Sequence, residues 1–459
     1  MPWTSIDQFS RSSELGSIVA YTLDGFDPVG RWYFTGLALG SMRLSPAEGG
    51  FEIQDGRGLL APSASELFFT IFVKPGELPT PSAKTFRVTH RISNLRDDGS
   101  LRYDRVFCED KTCDICTARM IRAERHDPKD SDKLSLVGAL NPTEWKNYTL
   151  DVKVLGTTAY VIRDGGLWSI DVADAANPRV LAHYPDADPL TRSNDVAIFE
   201  TAGRRYAIIA DSPVELVDVT DPTNLQPAGQ LPVEAHTLFT ETRNGSTRVY
   251  FGGLDGTTAV YDVTNPLLPA RLGAFDAESS YVHDLFVEAG IGYLNAWEKG
   301  FLVVDFNDPA QPKLLGQWQS PRKQSHASWV TTVGGRRIAV HGDETYGAHM
   351  TVLDVDPASP QFMKPLSEYE TRPYVSIHNF TGVGTKTYFT YYQDGVRVMD
   401  LANPAQPTLL GYYNTWDPDN PLAPDGFFGG AIGLDLDVAR KLIFVADTAR
   451  GLLILRDDT

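Results

Sequence analysis

Four histidines stand at the heads of similar apolar runs: His236 in "VEAHTLF", His283 in "SYVHDLF", His326 in "QSHASWV" and His378 in "VSIHNFTGVG". Each run alternates as a strand bound for a core does. A polar ring at the head of such a strand needs a reason. Neutral imidazoles bind zinc, copper, iron and nickel, so four that meet would form a metal centre. Two other uses stay open. The rings could bond backbone groups where strands begin, purely as structure, or bind an organic or anionic ligand.

Further groups could complete such a centre. Glu234 precedes His236 by two residues, and Asp284 and Asn379 directly follow their histidines. They are candidates for holding the second ring nitrogen and fixing the tautomer. Candidate acid–base groups are Glu298 in "NAWEKG", Asp343 and Glu344 in "AVHGDETYGAHMTV", and Tyr392 in "TYYQDG". His341 and His349, in the second of these stretches, are possible additional ligands. Cys108, Cys113 and Cys116 cluster in "FCEDKTCDICTARM". A fourth thiolate is lacking, so no iron–sulfur cluster is expected. The cysteines read as reduced thiols at a hairpin end, with a facultative Cys113–Cys116 link, or as a zinc site completed by His126 or His90.

What must position these groups is a repeat. From residue 130 onward a phrase recurs: apolar residues, Asp, an Asn/Asp-Pro turn, then a short apolar run. It is seen in "LWSIDV", "VELVDV", "FLVVDF" and "VRVMDL" with the residues after them. Each phrase reads as strand, turn, strand, and another strand pair precedes it. Four short strands repeating every ~40–50 residues make propeller blades. Seven innermost strands are expected, at "YTLDVKV", "NDVAIFE", "HTLFTE", "HDLFVEA", "HASWVTT", "HNFTGVG" and "GLDLDVA". The last blade lacks an outer strand and "KLSLVGAL" (133–140) lacks a blade, so these two should join and close the ring. Aligned on their second strands, the blades place Leu150, Asn194, His236, His283, His326, His378 and Gly433 in one slot. Equivalent slots lie at one height around the channel. Asp151, Asp195 and Asp284 follow that slot in three blades and read mainly as groups that satisfy turns and backbone.

The phrase resembles the LVIVD-repeat β-propellers over roughly residues 133–457. The resemblance implies a fold and no activity. The expected architecture is all-β: a seven-bladed propeller over 133–459, a linker over 127–132, and a small antiparallel barrel over 1–126. The barrel's "GRWYFTG" resembles the opening of the calycin barrels. Four imidazoles without a thiolate resemble, in arrangement, the iron centre of the carotenoid-cleavage oxygenases. That resemblance implies Fe(II), with copper second, held by His236, His283, His326 and His378. Here the four lie in adjacent blades, which would put an ion off the channel axis.

Composition narrows the partners. The 459 residues carry a formal charge of −18 with no dense basic run, which argues against nucleic acid. No apolar stretch approaches the ~20 residues that span a bilayer. No basic segment leads into an apolar one at the N-terminus, so a cytoplasmic protein is expected. No Gly-rich phosphate loop, nucleophile elbow or H-E-x-x-H occurs, so no nucleotide cofactor is expected. The sequence therefore supports a metal-dependent propeller enzyme, an oxidoreductase or lyase, acting on a small apolar or aromatic substrate at one channel mouth. The competing reading is a non-catalytic binding scaffold with structural histidines.

Overall fold

The computed structural model describes residues 26–36, 40–53, 58–62, 66–73, 86–93, 95–109, 112–124, 126–127, 129–143, 145, 148–163, 165–186, 193–345, 347–373, 375–416 and 429–459. The chain forms two compact units, Met1–Arg125 with Pro418–Phe427, and His126–Asp417 with Phe428–Thr459. Among the described residues all regular structure is β, and no helix is long and apolar enough to cross a membrane.

The first unit is a closed barrel of eight antiparallel strands, in which Gly30–Gly36 meets Thr112–Arg122 to complete the circle. Trp32, Phe34, Met42, Leu44, Ile92, Leu101, Tyr103 and Met120 fill it. Trp32 of "GRWYFTG" is fully buried, its indole N–H donates to the Pro28 carbonyl, and the Arg122 guanidinium lies 4.4 Å from its ring centroid. The expectation of reduced thiols is corrected here. Cys108 is disulfide-bonded, and the hairpin register sets Cys113 opposite it. A disulfide sulfur is no thiolate, so Cys108 cannot serve zinc. His90 is occupied as well, its Nδ1 lying 2.7 Å from the Tyr103 hydroxyl.

The second unit is a ring of seven sheets, here called blades 1 to 7, each of at least four strands. Their innermost strands are Thr149–Leu155, Asp195–Thr201, Thr237–Arg243, Asp284–Glu288, Ser325–Val333, Phe380–Val383 and Ala431–Asp437. Second and third strands are buried nearly throughout, as Thr158–Arg163 and Gly300–Asp305 show, because each lies between two neighbouring blades. Strands covered on both faces read as continuous apolar runs. The Asp closing each third strand has one local job in all seven blades. Its Oδ1 accepts the N–H two residues on, from Ala173, Thr220, Thr264, Asn307, Asp356, Ala402 and Thr459. In blades 1 to 6 that side-chain turn reverses the chain before the Pro, which explains why the repeat needs Asp there.

Every third-to-fourth strand pair carries a register shift. A bulge there bends and twists the outer strand. In blades 3 and 7 a glycine lets the next blade approach: a Cβ on Gly273 would lie 1.7 Å from the Pro309 oxygen, and one on Gly138 2.1 Å from the Ala175 oxygen.

Leu134–Leu140 supplies the outer strand of blade 7, pairing with Gly451–Asp457 through Leu136↔Leu455 and Leu140↔Leu452. One detail of the expected linker differs: Ser131–Asp132 pairs with Tyr412 and Tyr413, adding a fifth strand to blade 6. Free outer-strand edges there favour recruiting any adjacent extended backbone. Removing Gly451–Thr459 takes away the strand that both the ring closure and the Leu452–Leu455 core rest on. We expect that truncation to abolish the cooperative thermal transition of the propeller, read by circular dichroism.

Candidate metal centre

The heads of the innermost strands share one backbone device. In blades 1, 5 and 7 the ladder skips a residue, so Leu150, His326 and Ile432 are each left over between paired neighbours. In blades 2, 3, 4 and 6 the equivalent residue lies just before the ladder. There Asn194, His236, His283 and His378 donate backbone N–H to the second strand, at Ala210, Gly252, Asn295 and Thr390. An unpaired residue in a bulge is free to aim its side chain away from the sheet face. The seventh position is thus Ile432, one residue before Gly433. Counting back from the second strand places Gly433 there, one residue too far along the chain.

The four imidazoles form a continuous arc. Ring centroids are 4.3 Å apart for His236–His283, 4.0 Å for His283–His326 and 4.3 Å for His326–His378. The Nε2 atoms of His236 and His283 are 3.2 Å apart. Glu344, on the connection between the second and third strands of blade 5, faces the arc. Its Oε2 lies 3.5 Å from His283 Nε2 and 3.6 Å from His326 Nε2, and its Oε1 lies 3.9 Å from His378 Nε2. His283, His326 and Glu344 alone offer three ligand atoms within 4.8 Å of one another. The Tyr392 hydroxyl donates to Glu344 Oε1.

The partners of these rings decide what they can do. His378 Nδ1–H donates to the Ile432 carbonyl at 2.9 Å, which leaves its Nε2 as an acceptor turned toward an acceptor-only carboxylate. Neither ring nitrogen of His326 has a hydrogen-bond partner among the described residues, nor does His283 Nδ1. Buried polar atoms without partners cost roughly 1–3 kcal/mol each. Burial pushes the His283 and His326 pKa values well below the usual imidazole range, and neighbouring rings push them further. Burial lowers His378 to about 3 despite the bond to Ile432. Burial also lowers His236, against the pull of Asp195. Burial raises Glu344, partly offset by the Tyr392 bond. Neutral imidazole is the form that ligates a metal.

Two aromatic residues clamp the arc. Trp297 stacks on His283 at 5.2 Å and 19°, and Tyr392 meets His378 edge-on at 4.8 Å. Both have positive φ, 33° and 43°, at matching connections of blades 4 and 6. Each is pinned by a bridge to the neighbouring blade, Trp297↔Ser325 and Tyr392↔Ala431. Such backbone costs of order 1–3 kcal/mol and persists where surroundings over-determine it, often at functional sites.

The arc opens onto a cavity of about 610 Å³ in the channel. Phe239, Phe286, Trp329 and Phe380 line it on the histidine side; Asp151, Lys153, Asp195 and Asp435 come from blades 7, 1 and 2, and Asp284 from blade 4. Asp195 and Asp435 also staple seams, accepting the Leu238 and Val154 N–H groups of the following blades. Lys153 Nζ is 2.6 Å from Asp151 and 4.0 Å from Asp195. Burial and then repulsion from Asp195 raise Asp284 to about 7.

Several expected site residues lie elsewhere. Glu234 is exposed and lines a separate cavity beside Leu254 and Arg271, so it does not hold His236. Asp284 accepts from Leu285 N–H and Thr237, not from a ring. Asn379 lines the cavity, and His378 is held by Ile432 instead. Glu298 turns outward to Ser280. Asp343 accepts from Ser320. His341 is packed against Phe301 and Trp318 and bonded to Ser325, and His349 meets Tyr391 and Glu370. None of these last four lines the cavity. Ile432 is a site residue that the sequence does not flag, and Trp297, which the sequence places near the mouth, stacks on His283 in a way it does not show. An apolar side chain gives no sign that its carbonyl serves a ring, and stacking depends on backbone at positive φ.

The LVIVD repeat model matches residues 147–186, 281–319 and 388–415, within blades 1, 4 and 6. The chain carries LVIVD repeats. Among solved structures it is similar to the WD40 β-propeller domain of Doa1, at 13% identity and TM-score 0.50, covering 70% of this chain and 96% of that one. It is also similar to Chaetomium thermophilum Raptor, at 14% identity and TM-score 0.50, covering 70% of this chain and 29% of that one. The likenesses to solved structures concern the β-propeller fold alone. No curated protein matches the sequence significantly.

The His326 ring yields a test. Without metal, His326→Leu should be neutral or stabilising, because it removes two partnerless nitrogens. The sign with pH follows from the lowered pKa. Below about 6.5 the unfolded ring takes a proton that the folded one refuses, so wild type loses stability and leucine does not. Melting-temperature differences between the two metal-free proteins should therefore widen in favour of the variant as pH falls from 7 to 4.

Proposed function

We propose that the arc is a transition-metal centre of a metal-dependent enzyme, with His236, His283, His326, His378 and Glu344 as ligands. One observation carries the reading: three imidazole Nε2 atoms face an acceptor-only carboxylate at 3.5, 3.6 and 3.9 Å, beyond hydrogen-bond reach. Neighbouring ligands ~2.0–2.2 Å from an ion lie about 2.8–3.6 Å from one another, the lower end for the right angles of a five- or six-ligand ion and the upper end for a tetrahedron. The 3.5 and 3.6 Å separations and the 3.2 Å between His236 and His283 fall in that range. Imidazole with one carboxylate suits iron first and copper second. When bound, the ion would supply Lewis-acid or oxidative chemistry.

The chain's own residues have definable tasks. His378 is oriented by the Ile432 carbonyl, and Glu344 by the Tyr392 hydroxyl. Trp297 and Tyr392 exclude water from the rings they cover. The cavity, with aromatic rings on the histidine side, would hold a small substrate against the centre. The Cys108 disulfide is of a kind that persists in oxidising compartments, which points away from the reducing cytoplasm as the place of action.

Elemental analysis after reconstitution with Fe(II), Cu(II) or Zn(II) tests this. We expect about one ion per chain, lost in His283→Ala and His326→Ala. Tyr392→Phe leaves Glu344 unheld and should weaken binding ~10–100-fold, the usual cost of losing an outer-shell partner. A folded protein that retains none of the three metals would leave the LVIVD propeller as a scaffold with structural histidines.

A further inference from the structure

The cavity below the arc is chemically two-sided. Phe239 and Phe286 meet edge-on at 5.1 Å beneath His236 and His283, and Trp329 continues the aromatic wall beneath His326. Acidic groups face the same space: Asp151, Asp195 and Asp435 from blades 1, 2 and 7, with one ammonium, Lys153, among them, and Asp284 from blade 4 on the histidine side. That lysine is already committed. Burial works against its charge, yet Asp151, Asp195 and Asp435 outweigh burial and raise its pKa. One ammonium stands among four carboxyl groups, and burial raises the pKa of Asp151, Asp284 and Asp435.

Most of the carboxylate oxygens have structural work. Asp195 Oδ2 accepts from Thr237 at 2.8 Å and from Leu238 N–H at 3.0 Å. Asp435 Oδ2 accepts from Val154 N–H, and Asp151 Oδ2 from Lys153. Asp284 differs. Its Oδ1 takes the Leu285 N–H at 2.7 Å and lies 3.3 Å from the Thr237 hydroxyl. Its Oδ2 has no hydrogen-bond donor among the described residues. Asp284 and Asp195 thus flank Thr237, directly under the imidazole arc. A second observation points into the same volume: His326, 1% exposed, lines the cavity with both ring nitrogens lacking partners.

We propose that this cavity takes a small organic amine in its ammonium form, with the head at Asp284 and Asp195 and an aromatic or aliphatic body against Phe239, Phe286 and Trp329. The proposal names the substrate class for the centre proposed above and rests on that reading only for what happens after binding. A desolvated ammonium is favoured where carboxylates exceed cations and acceptors are already placed. An aromatic wall adds cation–π attraction for the same charge. An anion would meet uncompensated carboxylates, and a neutral isostere would leave Asp284 Oδ2 without a donor.

Calorimetric titration of the whole 459-residue chain, metal-stripped, at pH 7 tests it, with 2-phenylethylamine, its neutral isostere 2-phenylethanol, and 3-phenylpropionate. The amine should bind at least tenfold tighter than the alcohol, and the carboxylate should not bind. Asp284→Asn keeps the Oδ1 acceptor for Leu285, so it should melt as wild type does and lose at least tenfold in amine affinity with alcohol affinity unchanged. Equal binding of amine and alcohol, preference for the carboxylate, no binding of any of the three, or an unaffected amine affinity in the variant would each overturn the proposal. Because the titration is metal-free, its failure beside intact metal retention removes only the substrate class. Amine binding by a chain that retains no metal removes only the metal centre.

Discussion

The site depends on one constraint, closure of the ring. Leu134–Leu140 and Gly451–Asp457 come from opposite ends of the propeller and form one ladder. Their side chains enter a core shared by blades 6 and 7, with Leu134, Leu453 and Leu455 packed against Val398 and Tyr388. Seven blades closed in this way bring the innermost strands to a common channel and fix the distance between neighbouring strand heads. That distance is why rings from blades 3, 4, 5 and 6 sit 4.0–4.3 Å apart, although dozens of residues separate them in sequence.

On that frame the bulged strand heads aim the side chains, and connections between second and third strands supply what lies above. The repeat makes the arc, and departures from the repeat make it a candidate centre. Only blade 5 offers Glu344 to the arc, only blade 4 offers Trp297, and only blade 6 offers Tyr392. Symmetry is broken again across the channel, where Leu150, Asn194 and Ile432 occupy the histidine position and carboxylates gather below. The result has nitrogen ligands and aromatic rings on one side, with Asp284 and Glu344, and Asp151, Asp195 and Asp435 on the other. Its buried imidazoles are held neutral by desolvation.

Much of this was legible in the sequence for a physical reason. A repeat repeats its contacts, so one residue type in one slot of successive blades implies spatial neighbourhood. The ring closure followed from counting strands. What stayed hidden turns on backbone detail that side-chain identity does not encode. The seventh slot holds Ile432 and not Gly433, a one-residue difference in register. Positive φ at Trp297 and Tyr392 laid those rings on the histidines. Glu234, two residues before His236, faces outward, because the chain is still outside the ladder there. Glu344 could be named as a candidate, but its central place among three rings could not be read from a loop of "HGDETYGAH". The Cys108 disulfide was missed because an odd cysteine count says nothing about which two strands pair.

The central claim is that these five side chains surround one ion. X-ray absorption at the metal edge of the iron-reconstituted protein addresses it directly. The account predicts four or five nitrogen and oxygen neighbours at ~2.0–2.2 Å, with the outer-shell scattering of several imidazoles, and loss of part of that scattering in His283→Ala. A spectrum of oxygen neighbours alone, unchanged in the variant, would place the ion elsewhere and contradict the account.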